Sequence, residues 1–190
     1  MRLDSDTIIV GVMNIDKIVN DAKEKQKLIV LSETDQMTGL LNRMSGELKV
    51  EESLKNGNGG LFILLDVDHF KNINDTLGHG VGDQVIIKVA GCLKTAFREN
   101  DIVFRLGGDE FSAYASEVHD KKIATDIINR FIDNLKTIVI SEPGDKPVTA
   151  SIGTTIIKAG EPADFGDNYK LIDSAVYESK KVKGSYVTFK

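Results

Sequence analysis

LFILLDV, Leu61–Val67, is the stretch on which the fold turns. It is apolar at every position but Asp66 and has the length of a strand. A continuous apolar run of that length predicts a strand buried on both faces rather than one with a wet side. Upstream, Asn56-Gly57-Asn58-Gly59-Gly60 is a breaker cluster that ends a charged helix over Ser45–Asn56. Downstream, Gly80–Phe97 carries Val81, Val85, Ile86, Val89, Leu93 and Phe97 at helical spacing. Asp101–Leu106 and Ser112–Ala115 flank a glycine pair and read as a hairpin. Lys121–Ile138 is a second long amphipathic helix, and Pro147–Ile157 a strand interrupted by glycine. Tyr169–Lys183 reads as a further helix and Ser185–Phe189 as a short last strand. The order α-β-α-β-β-α-β-α-β predicts an α/β (α+β) domain with a mixed sheet and helices packed on it.

The first thirty-odd residues differ from the rest. Thr7–Met13 is short and β-branched, which suits a strand, and a charged stretch from Asn14 to Gln36 comes next, with Asn14 or Asp16 as helix cap. Val12, Ile15, Val19, Ala22, Gln26 and Ile29 are spaced 3-4-3-4-3. That seam suits pairing with the same helix of another copy, and equally an ordinary amphipathic helix. Residues 1–31 are therefore read as the tail of an upstream sensory module with its signalling helix, and 32–190 as the output domain.

Composition narrows the function. At 190 residues the chain suits one domain and a remainder. Its 41% hydrophobic and 28% charged residues are ordinary for a globular protein. The net charge of −5 weighs against a DNA- or RNA-binding surface. Cys92 is the only cysteine, so no internal disulfide or zinc cluster is expected. The longest apolar runs, Thr7–Met13 and Leu61–Leu65, are far too short to span a bilayer, and the first residues lack a signal-peptide pattern. A cytoplasmic location is expected.

Two acidic pairs carry the chemistry. Asp66 and Asp68 close the apolar run, where an unpaired carboxylate is costly to desolvate. Residues i and i+2 share a strand face, so the two could converge on a metal; aspartates also commonly end ordinary strands. Gly107-Gly108-Asp109-Glu110 sits at the hairpin tip. A tight turn explains the glycines, but not two adjacent acids whose repulsion must be offset. A magnesium ion shared with substrate phosphates would offset it. Together the two pairs point to metal-dependent phosphoryl or nucleotidyl transfer.

The motifs resemble those of one family. Arg105–Phe111 reads RLGGDEF, the signature of the GGDEF diguanylate cyclases. Asp35–Arg43 (DQMTGLLNR) is similar to the family's opening D-x-L-T-G-L-x-N-R, and Asp66–Asp83 (DVDHFKNINDTLGHGVGD) to its longest motif. Val148–Gly153 (VTASIG) and Ile172–Lys180 (IDSAVYESK) look like its C-terminal signatures. The resemblance covers about Ser32 to Lys190. It implies a palm-like cyclase domain with a mostly antiparallel central sheet flanked by helices and preceded by a linker helix. It also implies condensation of two GTP into cyclic di-GMP and two pyrophosphates across a homodimer. Mg²⁺ or Mn²⁺ would be held by Asp66, the Val67 carbonyl and Asp109.

By the same resemblance, Asp109 activates the attacking hydroxyl, Glu110 assists, and Lys71 steadies the phosphates. Asn74 and Asp83 would read guanine, because an aspartate accepts from N1–H and the exocyclic amine together, which adenine cannot match. His69 and Phe70 would line the phosphate-side loop with Lys71. His79 is either a turn-stabilising residue or a substrate contact. Lys180 matches a phosphate-binding lysine, yet the family's arginine near Gly184 or Ser185 is missing. Lys181 or Lys183 would have to replace it, and a point charge does not copy a bidentate fork. That departure keeps open a second reading: a catalytically weak domain that binds GTP or cyclic di-GMP and signals by contact. Arg98 and Asp101 form an R-x-x-D at the spacing of the family's product-inhibition site. Arg130 is the nearest match to its additional arginine, and a plain surface ion pair is the competing explanation.

Overall fold

A computed structural model describes residues 17–24, 29, 32–140, 147–160, 163–182 and 187–190. The chain divides into two units, Met1–Thr34 and Asp35–Lys190. In the first, residues 17–24, 29 and 32–33 are helical, and Ile18, Val19 and Ile29 are exposed. The Thr7–Met13 strand and the seam positions Val12, Ile15 and Gln26 lie outside the described residues.

The second unit runs β1 (Leu41–Asn42), α1 (Arg43–Lys55), β2 (Gly60–Val67), α2 (Phe70–Leu77), α3 (His79–Ala96), β3 (Ile102–Gly107), β4 (Glu110–Ser116), α4 (Lys121–Lys136), β5 (Ala150–Ile157), α5 (Phe165–Ser179) and β6 (Val187–Phe189). The strands form one sheet in the order β1-β3-β4-β2-β5-β6. Its inner pairs are antiparallel, and its outer pairs, β1 with β3 and β5 with β6, are parallel. The expected mostly antiparallel α/β sheet flanked by helices is therefore present.

Period-2 alternation divides β2 between two cores. Leu61, Ile63, Leu65 and Val67 pack with Val85, Val89 and Leu93 of α3 and with Ile128 and Phe131 of α4. Phe62 and Leu64 pack with Val50 and Leu54 of α1 and with Ile172 and Val176 of α5. Burying each such side chain stabilises by roughly 1.5–3 kcal/mol, so an all-apolar run can be accommodated only by a central strand with a helical layer on each side.

Several boundaries differ from those expected. α1 starts at Arg43 because the Asn42 side chain accepts from Ser45 N–H at 3.0 Å. α5 starts at Phe165, capped by Asp164, and ends at Ser179, whose hydroxyl donates to Ile152 O at 2.8 Å. β1 and α2 were not expected. α2 has no fully buried residue and no side-chain cap, and it is only eight residues long. The glycine in the last long strand does not interrupt it: Gly153 lies inside β5 and lets α5 approach, since a Cβ there would stand 2.1 Å from Ile172 O. No helix among the described residues is long and apolar enough to cross a membrane.

Candidate functional site

Antiparallel pairing brings the acidic motifs together. Asp66 on β2 lies opposite Glu110 on β4 and Ser151 on β5. The β3–β4 tip turns through Gly107 and Gly108 at φ +145° and +54°, and the Asp109 carbonyl accepts from Val67 N–H at 3.2 Å. Arg105 braces that tip. Its guanidinium donates to Gly108 O at 2.7 and 3.2 Å and to the Asp35 carboxylate at 3.2 and 3.3 Å. Burial alone would raise the Asp35 carboxyl, but hydrogen bonds from Thr38 and the Arg105 charge outweigh it and hold it below the ordinary value.

An open cleft of about 330 Å³ lies at the end of β2. It gathers Asp66, Val67, His69, Phe70, Lys71, Asp109 and Lys180, seven of the residues singled out from the sequence. The α5 C-terminus delivers Lys180, whose ammonium donates to Asp66 Oδ2 at 2.8 Å. Desolvation raises the Asp66 carboxyl above its ordinary value, with Asp109 and Asp68 adding to the rise and Lys180 opposing it. Glu110 is raised as well, first by desolvation and then by Asp66 and Asp109. Burial would lower Lys180, but Asp66, Asp109 and Glu110 overcome it and raise the ammonium.

Asp68 lines the same cleft and its charge adds to the rise at Asp66, while its own carboxylate is held by two hydroxyls. Thr149 Oγ1 donates to Oδ2 and Ser151 Oγ to Oδ1, each at 2.6 Å.

The donor set suits a hard divalent cation: two carboxylates, Asp66 and Asp109, with the Val67 backbone oxygen at the same strand end. No group of three or more His, Cys, Asp or Glu side chains among the described residues could hold an ion unaided. Magnesium fits such a sparse set, because it takes remaining ligands from water and substrate phosphates.

The base-reading candidates lie apart, at the α2–α3 corner. Asn74 Oδ1 is buried and accepts no hydrogen bond. It packs against Gly82, where a Cβ would stand 1.9 Å away, and Asp83 comes next on α3, exposed. An unpartnered buried acceptor is costly and points to a ligand donor. His79 is exposed at the start of α3 and is not among the residues lining the cleft. A second cleft of about 350 Å³ brings Arg98, Asp101 and Arg130 together. There Asp101 Oδ2 accepts from Arg98 N–H at 2.8 Å, and Arg130 donates to Ala96 O at the end of α3. Lys181 lies over the Tyr177 ring, 4.7 Å from its centroid, while Lys183 is outside the described residues.

The sequence reading missed Arg105 with Asp35, and Thr149 with Ser151. The opening D-Q-M-T motif and VTASIG were the available signals, but neither names a partner.

A family model described as "Diguanylate cyclase, GGDEF domain" matches residues 32–185. The chain is 30% identical over 164 residues to the probable diguanylate cyclase DgcC of Escherichia coli K12, covering 84% of this chain and 44% of that protein. It is 40% identical over 166 residues to the uncharacterized protein YtrP of Bacillus subtilis, covering 86% and 27%. It thus spans less than half the length of either relative. A solved GGDEF domain of DgcB from Caulobacter crescentus, in complex with c-di-GMP, superposes with a TM-score of 0.73 at 27% identity, covering 83% of this chain and 95% of that one.

Proposed function

The chain belongs to the GGDEF diguanylate cyclase domain family, and on that premise we propose that it condenses two GTP into cyclic di-GMP, releasing two pyrophosphates. The observation that carries this reading is the convergence of Asp66, Asp109, Lys71 and Lys180 on one open cleft. Two carboxylates and two ammoniums there match a triphosphate with its counter-ion.

Asp66, Asp109 and the Val67 carbonyl would hold Mg²⁺ or Mn²⁺. When bound, the ion neutralises phosphate charge and makes the α-phosphorus a better electrophile. Lys71 and Lys180 hold the phosphates and stabilise charge on departing pyrophosphate. Lys180 would exchange Asp66 for a phosphate oxygen. The turn at His69 and Phe70 walls the cleft beneath the chain of phosphates. Asp109 accepts the proton of the attacking 3′-hydroxyl, with Glu110 beside it. The new bond is 3′-oxygen to α-phosphorus, and the bond broken joins that phosphorus to the β-phosphate oxygen. Asn74 Oδ1 gains from guanine the donor it lacks in the protein, and Asp83 reads the rest of that edge. His79 stands at the same corner. Each subunit supplies one half-site, so turnover requires a homodimer.

The second cleft supports product binding. Arg98 and Arg130 offer guanidinium forks and Asp101 an acceptor, which suit guanine edges and phosphates. A binding-module reading rests on the missing arginine near Gly184 or Ser185; Lys181, one candidate to replace it, lies over the Tyr177 ring instead.

The test is cyclic di-GMP formation from GTP and Mg²⁺ at high protein concentration, with Asp109→Ala alongside. Product that vanishes in Asp109→Ala is the expected result. GTP binding without product would replace the cyclase by the binding module.

A further inference from the structure

Asp68 and the VTASIG segment have no part in the chemistry above, yet they meet at the cleft. Three hydrogen bonds join them. Asp68 N–H donates to Thr149 O at 2.9 Å, Thr149 Oγ1 to Asp68 Oδ2 at 2.6 Å, and Ser151 Oγ to Asp68 Oδ1 at 2.6 Å. Both side-chain distances fall in the range of O–H···O⁻ bonds, which are about twice as strong as neutral ones. The aspartate just past the end of β2 is thereby fixed by Thr149, immediately before β5, and by Ser151 within it, both carboxylate oxygens engaged.

The turn immediately after Asp68 needs such an anchor. His69 is left-handed, with φ 59° and ψ 21°, a conformation that a residue with a Cβ adopts reluctantly. Strain of this kind persists where the surroundings over-determine the backbone. No side chain caps α2, which begins at the next residue. His69, Phe70 and Lys71 then form the cleft wall facing Asp66 and Lys180.

We propose that Asp68 is a positioning residue, clamped by the Thr149 and Ser151 hydroxyls, that sets the His69–Lys71 turn in place for the substrate's phosphates. The inference rests on the nucleotide reading of this cleft, and deepens it by assigning the Thr149 and Ser151 hydroxyls to ground-state phosphate binding. Asp68 acts through the turn and touches neither the ion nor the reacting atoms.

Thr149→Val with Ser151→Ala removes both hydroxyls and leaves every cleft-lining residue intact. The double variant should raise the KM for GTP by about tenfold, the size of one weakened hydrogen bond to a charged group, while kcat moves far less. Thr149→Ser, which keeps the hydroxyl, should restore the native KM. Binding is read separately by calorimetry, using Mg²⁺ and a GTP analogue with a methylene between the α- and β-phosphorus, which cannot lose pyrophosphate. Mn²⁺ titration without nucleotide should give the same affinity in the native and double-variant proteins. Ser151→Ala alone serves if the double variant melts below the assay temperature.

An unchanged KM overturns the proposal, as does a KM that Thr149→Ser fails to restore. A changed Mn²⁺ affinity with unchanged analogue affinity also overturns it, because Asp68 would then be serving the ion. If the native protein itself does not bind the analogue, the nucleotide reading falls and this inference with it. If the native protein binds and the double variant binds equally, only the inference falls.

Discussion

Gly153→Ala tests how the fold places Lys180. A Cβ at this position would stand 2.1 Å from Ile172 O, 2.6 Å from Val176 N and 2.9 Å from Ala175 Cβ. The two nearest atoms belong to the α5 backbone, so no rotamer change relieves them. Reaching even a contact of about 3.5 Å requires α5 to lift from the sheet by roughly 1.4 Å. Overpacking of this kind costs about 1–3 kcal/mol, and more when backbone has to move; the upper end is expected here. The lift also loosens Ile172 and Val176 from Phe62 and Leu64. Lys180 comes directly after α5, so its 2.8 Å contact with Asp66 opens. Urea unfolding should show a stability loss near 3 kcal/mol, and affinity for GTP should fall in the native-state population that remains. Adding Ala175→Gly removes only the 2.9 Å contact and should recover little. A loss under about 0.5 kcal/mol, the size of an ordinary surface substitution, would refute the close seating of α5 on β5.

Two further outcomes are expected from the same geometry. Gly82→Ala places a Cβ 1.9 Å from Asn74 Oδ1, the movable end of a side chain, so stability should change by less than about 1 kcal/mol while competition binding shows ATP gaining on GTP; an unchanged ratio would remove Asn74 from base recognition. Glu110→Gln should raise the melting temperature at pH 7.5 while product formation falls, because the folded-state carboxyl is raised and its ionisation therefore costs stability above that raised value. The gain should shrink as pH drops through the raised value and vanish below about 4, and a gain that persisted in acid would contradict this origin.

How much the sequence disclosed depended on whether the signal was local. LFILLDV predicts a two-faced central strand because its six apolar residues call for burial on both faces, and β2 is that strand. The glycine pair predicts the tip that carries Asp109. α2 escaped because it buries no residue fully, although Phe70, Ile73 and Leu77 do recur at helical spacing. The Arg105–Asp35 brace joins residues 70 positions apart, and the Thr149 and Ser151 hydroxyls reach across 81 and 83. No periodicity records such contacts; they exist only once β2, β4 and β5 lie side by side. The candidate metal and phosphate residues were legible as motifs, whereas the groups that orient them were not.

Asp66 in β2 and Asp68 in the turn just past its end show where the local rule stops. Alternation puts residues 66 and 68 on one face, and that sharing alone suggests a joint metal site. Sharing a face, however, leaves the lateral direction free. Asp66 lies between Glu110 of β4 and Ser151 of β5, with the end of α5 above it, and its carboxylate goes to a lysine. Pairing with β4 ends at Asp66 and pairing with β5 at Val67; past that point Thr149, just before β5, and Ser151 within it offer two hydroxyls and a carbonyl. The Asp68 carboxylate turns to those donors because desolvation penalises any alternative without them. The strand end and the turn after it thus carry two carboxylates in different settings: one among acids with a lysine ammonium, as the proposed ion and phosphate exchange requires, and one held by two short hydrogen bonds. A metal site needs the first kind of environment and a binding turn needs the second. The difference lies in which neighbouring strand's pairing outlasts the other's by one residue.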